Sequence, residues 1–142
     1  MKNWEEISST SELLAVEEIK KSFDAGDFVD VEDGLTQLLE TMANSERKSI
    51  LSQLVRLMSH IIKWKIQPEK RSRSWKSSIN NARFEIQTIQ EFSPSLNDNY
   101  LLNIWEKALK QAKIQANDET GFSTNDIENL TWEEVFEEKY NL

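Results

Sequence analysis

Cysteine is absent from this chain of 142 residues, and histidine, proline and glycine are scarce, with one, two and three copies. The lack of thiols excludes a disulfide framework and any thiolate zinc site. A single imidazole excludes a metal site or a catalytic pair built from several histidines. Sandwiches and barrels need the frequent turns that glycine and proline supply, so the scarcity of both favours a helical protein.

Long apolar runs and several common site motifs are also missing. No apolar stretch approaches the ~20 residues needed to cross a bilayer. The first thirty residues lack the basic flank and apolar run of a signal peptide. The sequence has no glycine-rich phosphate loop, no Ser/His/Asp signature and no metal-ligand spacing. We therefore expect a cytoplasmic protein with no membrane partner, no metal and no cofactor.

Apolar residues recur at helical spacing in the middle of the chain. Residues 50–62 form the most apolar segment, which predicts the central helix of the core. This helix must end by about Gln67, because Pro68 disfavours helical backbone in the residue before it. The next helix has the clearest stripe, with steps of 4, 3, 4 and 3 residues: Trp75, Ile79, Ala82, Ile86 and Ile89.

Caps and breaks indicate the helices on either side. A first helix follows Ser8–Ser11 and stops near Gly26, with Leu13, Leu14, Val16, Ile19 and Phe23 as its apolar residues. A second helix carries an apolar face made of Val31, Leu35, Leu38, Leu39 and Met42. The segment "ANSERK", residues 43–48, then predicts a break, with Asn44 or Ser45 as the next cap.

A fifth helix is expected over residues 98–117, with inward-facing Leu101, Ile104, Trp105, Ala108, Leu109 and Ala112. Residues 118–126 read as a loop. Thr131 and Glu134 have the spacing of a capping box, which predicts a last short helix. The expected fold is therefore an all-α, single-domain bundle of five or six helices over residues 1–142.

Charge is distributed unevenly along the chain, whose formal net charge is −8. Residues 1–46 hold twelve acidic and three basic residues, a net of −9. Residues 47–116 carry a net of +8, and residues 117–142 a net of −7. The basic middle either pairs with the acidic flanks or faces a partner.

The basic charge is densest from Lys63 to Lys76, with six Lys/Arg and one Glu. If Ser72 or Ser74 caps the following helix, Arg71 and Arg73 lie at its positive N-terminal end. The helix dipole disfavours each exposed cation there by roughly 0.3–1 kcal/mol. An internal carboxylate or an external phosphate or carboxylate would offset this cost, and the sequence leaves both explanations open.

His60 is the single candidate for acid–base chemistry, and it lies one helical turn after Arg56. A lone histidine beside apolar residues is more often a packing residue than a catalyst, although a neutral-range pKa suits general acid–base work. Small all-helical ribonucleases of the higher-eukaryote-and-prokaryote nucleotide-binding type place an arginine and a histidine on one helix. Their separation is longer than the three residues here, so Arg56 and His60 are weak catalytic candidates.

The segment "LMSHIIKWKIQPEKRSRSWKSSI", residues 57–79, resembles the signature of domain-of-unknown-function family 29. That family, abundant in cyanobacteria, leads from a Leu-rich helix through His, Lys-Trp and Gln-Pro to an Arg-Ser-x-Ser-Trp motif. "SFDAGDFVDVED", "NSERKSILSQLVRLM" and "ANDETGF" resemble its other segments, so the similarity covers nearly the whole chain. The resemblance implies an all-helical protein of the cyanobacterial cytoplasm and no known activity.

The sequence departs from that family in the second helix, "VEDGLTQLLETM". A carboxylate that pairs there with His60 or Arg71 would have to be Glu32, Asp33 or Glu40.

These patterns favour a non-enzymatic helical interaction protein that binds a protein partner or a second copy of itself. We define the corner as the eight residues expected to form either a buried polar cluster or an anion site: His60, Trp64, Gln67, Arg71, Ser72, Arg73, Ser74 and Trp75. The alternative is an RNA-binding protein or a metal-independent ribonuclease that acts through this corner. The net charge of −8 disfavours a nucleic-acid partner, because it repels polyanions at long range.

Overall fold

Residues 2–142 are described by a computed structural model, and every regular element among them is helical. Six α-helices occur there: α1 (Trp4–Thr10), α2 (Glu12–Asp24), α3 (Phe28–Ile66), α4 (Arg73–Phe92), α5 (Asp98–Asn103) and α6 (Trp105–Thr120). A 3-10 turn, Pro68–Lys70, separates α3 from α4, and a π-helical segment, Glu133–Glu137, follows α6. The all-α prediction with five or six helices is confirmed.

The chain forms two compact units, of which the first ends at Arg47 and the second is Lys48–Leu142. The boundary falls within α3, so this helix contributes residues to both units. A single domain over residues 1–142 stays a prediction.

The first unit contains an antiparallel pair formed by α2 and the start of α3. Three contacts define its register: Ser22 donates a hydrogen bond to Asp30, Gly34 lies against Ile19, and Ala15 belongs to the same buried cluster as Leu38. Trp4 of α1 completes that cluster. Its indole Nε1–H donates to Asp30 Oδ1 at 2.7 Å, which satisfies the polar end of the ring.

The turn between α2 and α3 follows the predicted stop at Gly26. Ser11 caps α2, since its Oγ accepts the Leu14 N–H at 3.2 Å. Gly26 has a φ of +76°, and its N–H donates to the Phe23 carbonyl, so the left-handed backbone ends the helix. The short helix α1 that precedes Ser11 was missed, because residues 4–10 contain two glutamates and three hydroxyl residues and show no apolar stripe.

Most of the apolar residues predicted for the first two helices are not buried. We define the apolar face as six of them together with Phe28, all with 41–69% exposure: Leu13, Val16, Phe23, Phe28, Leu35, Leu39 and Met42. Among the apolar residues predicted for these helices, Ile19 and Leu38 are buried and Val31 is partly buried. The small residues Ala15, Ser22 and Gly34 form much of the actual contact instead, because they allow the helices to approach closely.

The predicted break at "ANSERK" is wrong, since α3 runs without interruption from Phe28 to Ile66. Asn44 and Ser45 are favourable caps, but each costs at most about 0.7 kcal/mol in a helix interior. The segment contains no proline or glycine that would force a stop. The predicted second and third helices are consequently one helix of 39 residues.

The second unit has the core that the sequence predicts. Within residues 50–62, the apolar side chains from Ile50 to Ile62 are buried or partly buried. The α4 stripe and the inward-facing residues of the fifth predicted helix pack against them. That fifth helix is divided at Ile104 into α5 and α6, and α6 extends to Thr120, into the predicted loop.

Residues 2–142 contain no helix that is both long enough and apolar enough to cross a membrane.

Gly34 offers a test of the packing in the first unit. A Cβ at this position would lie 2.7 Å from Ile19 Cγ1 and 2.9 Å from a ring carbon of Trp4. Alanine improves helix propensity by roughly 0.5–1 kcal/mol, whereas overpacking costs about 1–3 kcal/mol. We expect Gly34→Ala to lower the free energy of unfolding by about 1 kcal/mol in chemical denaturation.

Thr36→Ala, at an exposed position of the same helix, is the matched control and should be neutral or slightly stabilising. A Gly34→Ala variant as stable as the Thr36→Ala variant would contradict this account.

Candidate functional site at the end of α3

The chain changes direction between Ile66 and Arg73 in a few closely bonded residues. Gln67 leaves the helical region with φ −129° and ψ 69°, as expected for the residue before a proline. Pro68 opens the 3-10 turn, and α4 then begins with Ser72 as its cap. Ser72 Oγ accepts the Trp75 N–H at 3.2 Å, which confirms one of the two caps proposed for this helix.

Arg71 binds the end of α3. Its Nε–H donates to the Trp64 carbonyl at 2.8 Å, and its guanidinium carbon lies 5.2 Å from the centre of the Trp64 ring. The last carbonyl groups of a helix lack internal partners and carry partial negative charge. Arg71 therefore supplies a hydrogen-bond donor and a positive charge at the C-terminal end of α3. It also lies just before the N-terminus of α4, where the helix dipole disfavours a cation.

Lys63 lies in the interior of the second unit and joins three helices. Its Nζ is 2.6 Å from Glu119 Oε2, near the end of α6, and 5.4 Å from the centre of the Trp75 ring on α4. The Lys63 side chain is 9% exposed, whereas Glu119 is 45% exposed. The hydrogen bond from Lys63 lowers the pKa of Glu119, so the carboxylate stays charged as a partner for the buried ammonium.

Trp64 is enclosed by the chain after α6. Its ring meets the Tyr140 ring edge to face, with centroids 5.6 Å apart. The Tyr140 hydroxyl donates to the Glu134 carbonyl at 2.7 Å, and Lys65 forms an ion pair with the Glu134 carboxylate. The Thr131–Glu134 capping box is confirmed by reciprocal backbone-to-side-chain hydrogen bonds at 3.0 and 3.2 Å.

Arg83 of α4 holds the same segment from the other side. Its Nε–H donates to the Val135 carbonyl at 2.7 Å and its Nη2 to the Glu134 carbonyl at 3.1 Å. The guanidinium also lies 5.6 Å from the centre of the Tyr140 ring. Burial lowers the pKa of Arg83, and the arginine remains charged at any physiological pH.

The side chains of His60 and Arg56 bond different partners. The His60 Nδ1–H donates to the Arg56 backbone carbonyl at 2.8 Å, while the Arg56 guanidinium reaches Gln53 Oε1 at 3.4 Å. Burial lowers the pKa of His60 despite the opposing effect of the carbonyl acceptor. The ring is therefore neutral at neutral pH and is bonded to the backbone of its own helix.

The remaining members of the corner differ in their surroundings. Gln67 is buried and bonds through its backbone, donating to the Lys63 carbonyl and accepting from the Lys70 N–H. Ser74 and Arg73 are exposed in the first turn of α4, and within residues 2–142 neither side chain has a hydrogen bond or ion pair. The predicted pairing of Arg71 with Glu32, Asp33 or Glu40 stays a prediction, as does anion binding by the corner.

Four residues that organise this region were not singled out from the sequence: Lys63, Glu119, Arg83 and Tyr140. The sequence signal for Lys63 was the change from a net +8 to a net −7 at residue 117, for which pairing between the two segments was one of two explanations. No pattern identifies the particular partners, because Lys63 and Glu119 are 56 positions apart.

An open cleft of about 780 Å³ lies elsewhere in the second unit, between α6 and the loop that follows it. Its lining includes Lys110, Lys113, Thr124 and Glu128 and none of the corner residues. Within the described part of the chain, no cluster of three or more His, Asp or Glu side chains is arranged to hold a metal ion.

The Lys63–Glu119 pair predicts an asymmetric response to substitution. Glu119→Ala leaves a buried ammonium without its carboxylate and should destabilise the protein by about 1–3 kcal/mol. Lys63→Met keeps the apolar stem against Trp75 and leaves Glu119 to solvent, so it should cost less than about 1 kcal/mol. Chemical denaturation of both variants and of the double variant measures the difference. A larger loss for Lys63→Met, or no recovery in the double variant, would contradict the assignment.

Arg71 and Arg73 form a second matched pair. Removal of the α3 cap in Arg71→Ala should cost about 1–2 kcal/mol and lower the Tm by several degrees. Arg73→Ala removes an exposed cation from a helix N-terminus and should be neutral or slightly stabilising. Thermal unfolding followed by circular dichroism gives both values. Equal effects from the two substitutions would show that Arg71 has no special role.

Comparison with known proteins identifies one family and no individual relatives. The model of a domain of unknown function, DUF29, matches residues 14–141. No curated protein and no solved structure matches the chain. The matched range includes the end of α3, the start of α4 and the Tyr140 segment that encloses Trp64, and covers nearly the whole chain. The chain therefore belongs to the DUF29 family.

Proposed function

We propose that this protein is a non-enzymatic, cytoplasmic interaction protein in which the corner is a structural device. The observation that supports it best is the use of the basic groups at the end of α3. Lys63 forms an ion pair with Glu119, and Lys65 forms one with Glu134. The Arg71 Nε–H donates a hydrogen bond to the Trp64 carbonyl. These three basic groups stabilise contacts within the second unit, so they are not free to bind a substrate phosphate together.

The aromatic rings of the region support the same proposal. Trp64 is 5% exposed and already contacts Tyr140 and Arg71, so its faces are not free to stack on a nucleobase. Trp75 lies under Lys63 and is half-buried. A site for single-stranded nucleic acid combines exposed aromatic rings with a positively charged groove. This region does not combine the two features.

Catalysis by His60 has equally little support. The His60 Nδ1–H bonds the Arg56 carbonyl and leaves Nε2 as the basic nitrogen, and within residues 2–142 no side chain is bonded to Nε2 as a catalytic partner. The Arg56 side chain, which would stabilise a phosphorane-like charge, is directed to Gln53. The proposed role of the protein is therefore to present a surface to a protein partner or a second copy.

RNA binding and cleavage assays test this function against the alternative. We expect no saturable binding of a fluorescent single-stranded RNA even at about 50 mM salt, and no cleavage products. Binding that weakens steeply as salt rises would contradict the proposal. So would cleavage that His60→Ala abolishes while circular dichroism shows a retained fold, with Arg73→Ala as the control for a nonspecific charge effect.

A further inference from the structure

The apolar face of the first unit is one continuous surface. On α2, Val16 and Phe23 follow the buried residues Ala15 and Ser22 by one position. One residue corresponds to a rotation of about 100° around the helix. The exposed stripe of α2 therefore lies on a single side of the contact with α3.

The stripe of α3 has the same relation to its own buried residues. Leu35, Leu39 and Met42 follow Gly34, Leu38 and the partly buried Thr41 by one position. Because the two helices run antiparallel, equal rotations on each helix turn both stripes to the same side of the pair. The Phe23 and Phe28 rings meet at 5.7 Å, which joins the stripes at the turn.

Exposed apolar surface of this extent marks an interaction site in a folded protein. The antiparallel pair of α2 and α3 does not need the side chains of the apolar face for its own packing. Its buried cluster is formed by Trp4, Ala15, Ile19 and Leu38. The face contains five aliphatic or thioether side chains and two phenyl rings along two helices, the pattern of a groove that receives an amphipathic helix.

Acidic residues border the apolar face. Glu17, Glu32 and Glu46 are exposed and each lies one turn after a member of the face, namely Leu13, Phe28 and Met42. None of the three glutamates forms an ion pair within residues 2–142. Lys20 also lies on the α2 stripe, but Asp24 pairs with it at 3.4 Å.

The charge of the first unit indicates which occupant fits. Residues 1–47 carry a net −8, so a second copy that placed the same face against this one would meet strong like-charge repulsion. The exposed cations of a second copy include Lys70, Arg73, Lys107 and Lys110, and most apolar residues of the neighbouring helices α4 and α6 already pack in the core. A segment of another protein that has both apolar and basic side chains would fit the apolar face and the acidic residues that border it.

We propose that the apolar face binds an amphipathic helix of a protein partner, with leucine-like residues on its contact side and Lys or Arg along its edges. The apolar side chains supply affinity, and the glutamates orient the basic edges and select against acidic helices. This inference rests on the proposed interaction function and names its surface and the chemistry of its partner.

A model peptide tests the chemistry without knowledge of the natural partner. The probe is a fluorescent amphipathic helix of Leu and Lys, about 18 residues or about five turns long. Two control peptides replace every Lys by Glu or scramble the Leu/Lys order. Fluorescence anisotropy with the full chain should show saturable binding of the probe, weakened by salt, and no binding of either control peptide.

Variants of the protein locate the binding site. Val16→Gln and Leu39→Gln, at 50% and 68% exposure, should each weaken binding of the probe about tenfold or more while circular dichroism remains unchanged. Phe92→Gln is the matched control, because Phe92 is an apolar residue of the second unit with 83% exposure. Its affinity for the probe should equal that of the unchanged protein.

In the peptide assay, three results would overturn the inference: no saturable binding of the Leu/Lys probe, equal binding of a control peptide, or an equal loss in Phe92→Gln. Sedimentation velocity tests whether a second copy of the chain binds to the apolar face instead. A concentration-dependent dimer that Leu39→Gln dissociates would assign the face to self-association and overturn the proposed basic partner. These failures are distinguishable from failure of the proposed function, which RNA binding or cleavage would reveal.

Discussion

The carbonyl groups at the end of α3 must find donors after Pro68 has stopped the helix, and the second unit is arranged around this constraint. A helix end leaves several carbonyls without internal partners, and burial makes such a group costly. Here the Gln67 N–H bonds the Lys63 carbonyl, and the Arg71 side chain bonds the Trp64 carbonyl. The first is the last i→i−4 bond before the proline, and the second comes from the residue that follows the 3-10 turn. The turn therefore stops the helix and satisfies its end with the same few residues.

The uneven charge distribution has a structural counterpart in this region. Lysines near the end of α3 meet carboxylates from the acidic segment after residue 117, and Arg83 bonds the backbone of that segment. The exposed pairs contribute little to the free energy of unfolding, but the buried Lys63 ammonium depends on Glu119 for its charge partner. An acidic protein with a basic centre is thus consistent with internal complementarity in its second unit. The acidic first unit retains unpaired carboxylates beside an exposed apolar surface.

Sequence periodicity predicted the parts of the fold in which one apolar stripe faces one core. The α4 stripe, the central portion of α3 and the Thr131–Glu134 cap are examples, since each depends on residues a few positions apart. Two features were not predictable in this way. Capping residues permit a helix to begin and do not force the preceding one to end, so Asn44 and Ser45 left α3 intact.

A periodic pattern also identifies an apolar face without identifying what covers it. Leu35 and Leu39 have the spacing of core residues, yet the contact with α2 is made by Gly34 and Leu38. At the candidate site, Ser72 was predictable as a local cap, whereas the bond from Arg71 back to Trp64 depends on the path of the turn. Contacts such as that of Arg83 with residue 135 join positions about fifty residues apart and leave no local signature.

The edge-to-face contact between Trp64 and Tyr140 also bears on the order in which the protein matures during its synthesis. The ribosome makes α3 long before it makes Tyr140, so Trp64 emerges without the ring that encloses it. Contacts between residues far apart in sequence form late, because the intervening chain must first be ordered. A nascent chain that lacks Tyr140 therefore leaves the Trp64 indole without this contact, and closure of the region cannot precede the synthesis of residue 140.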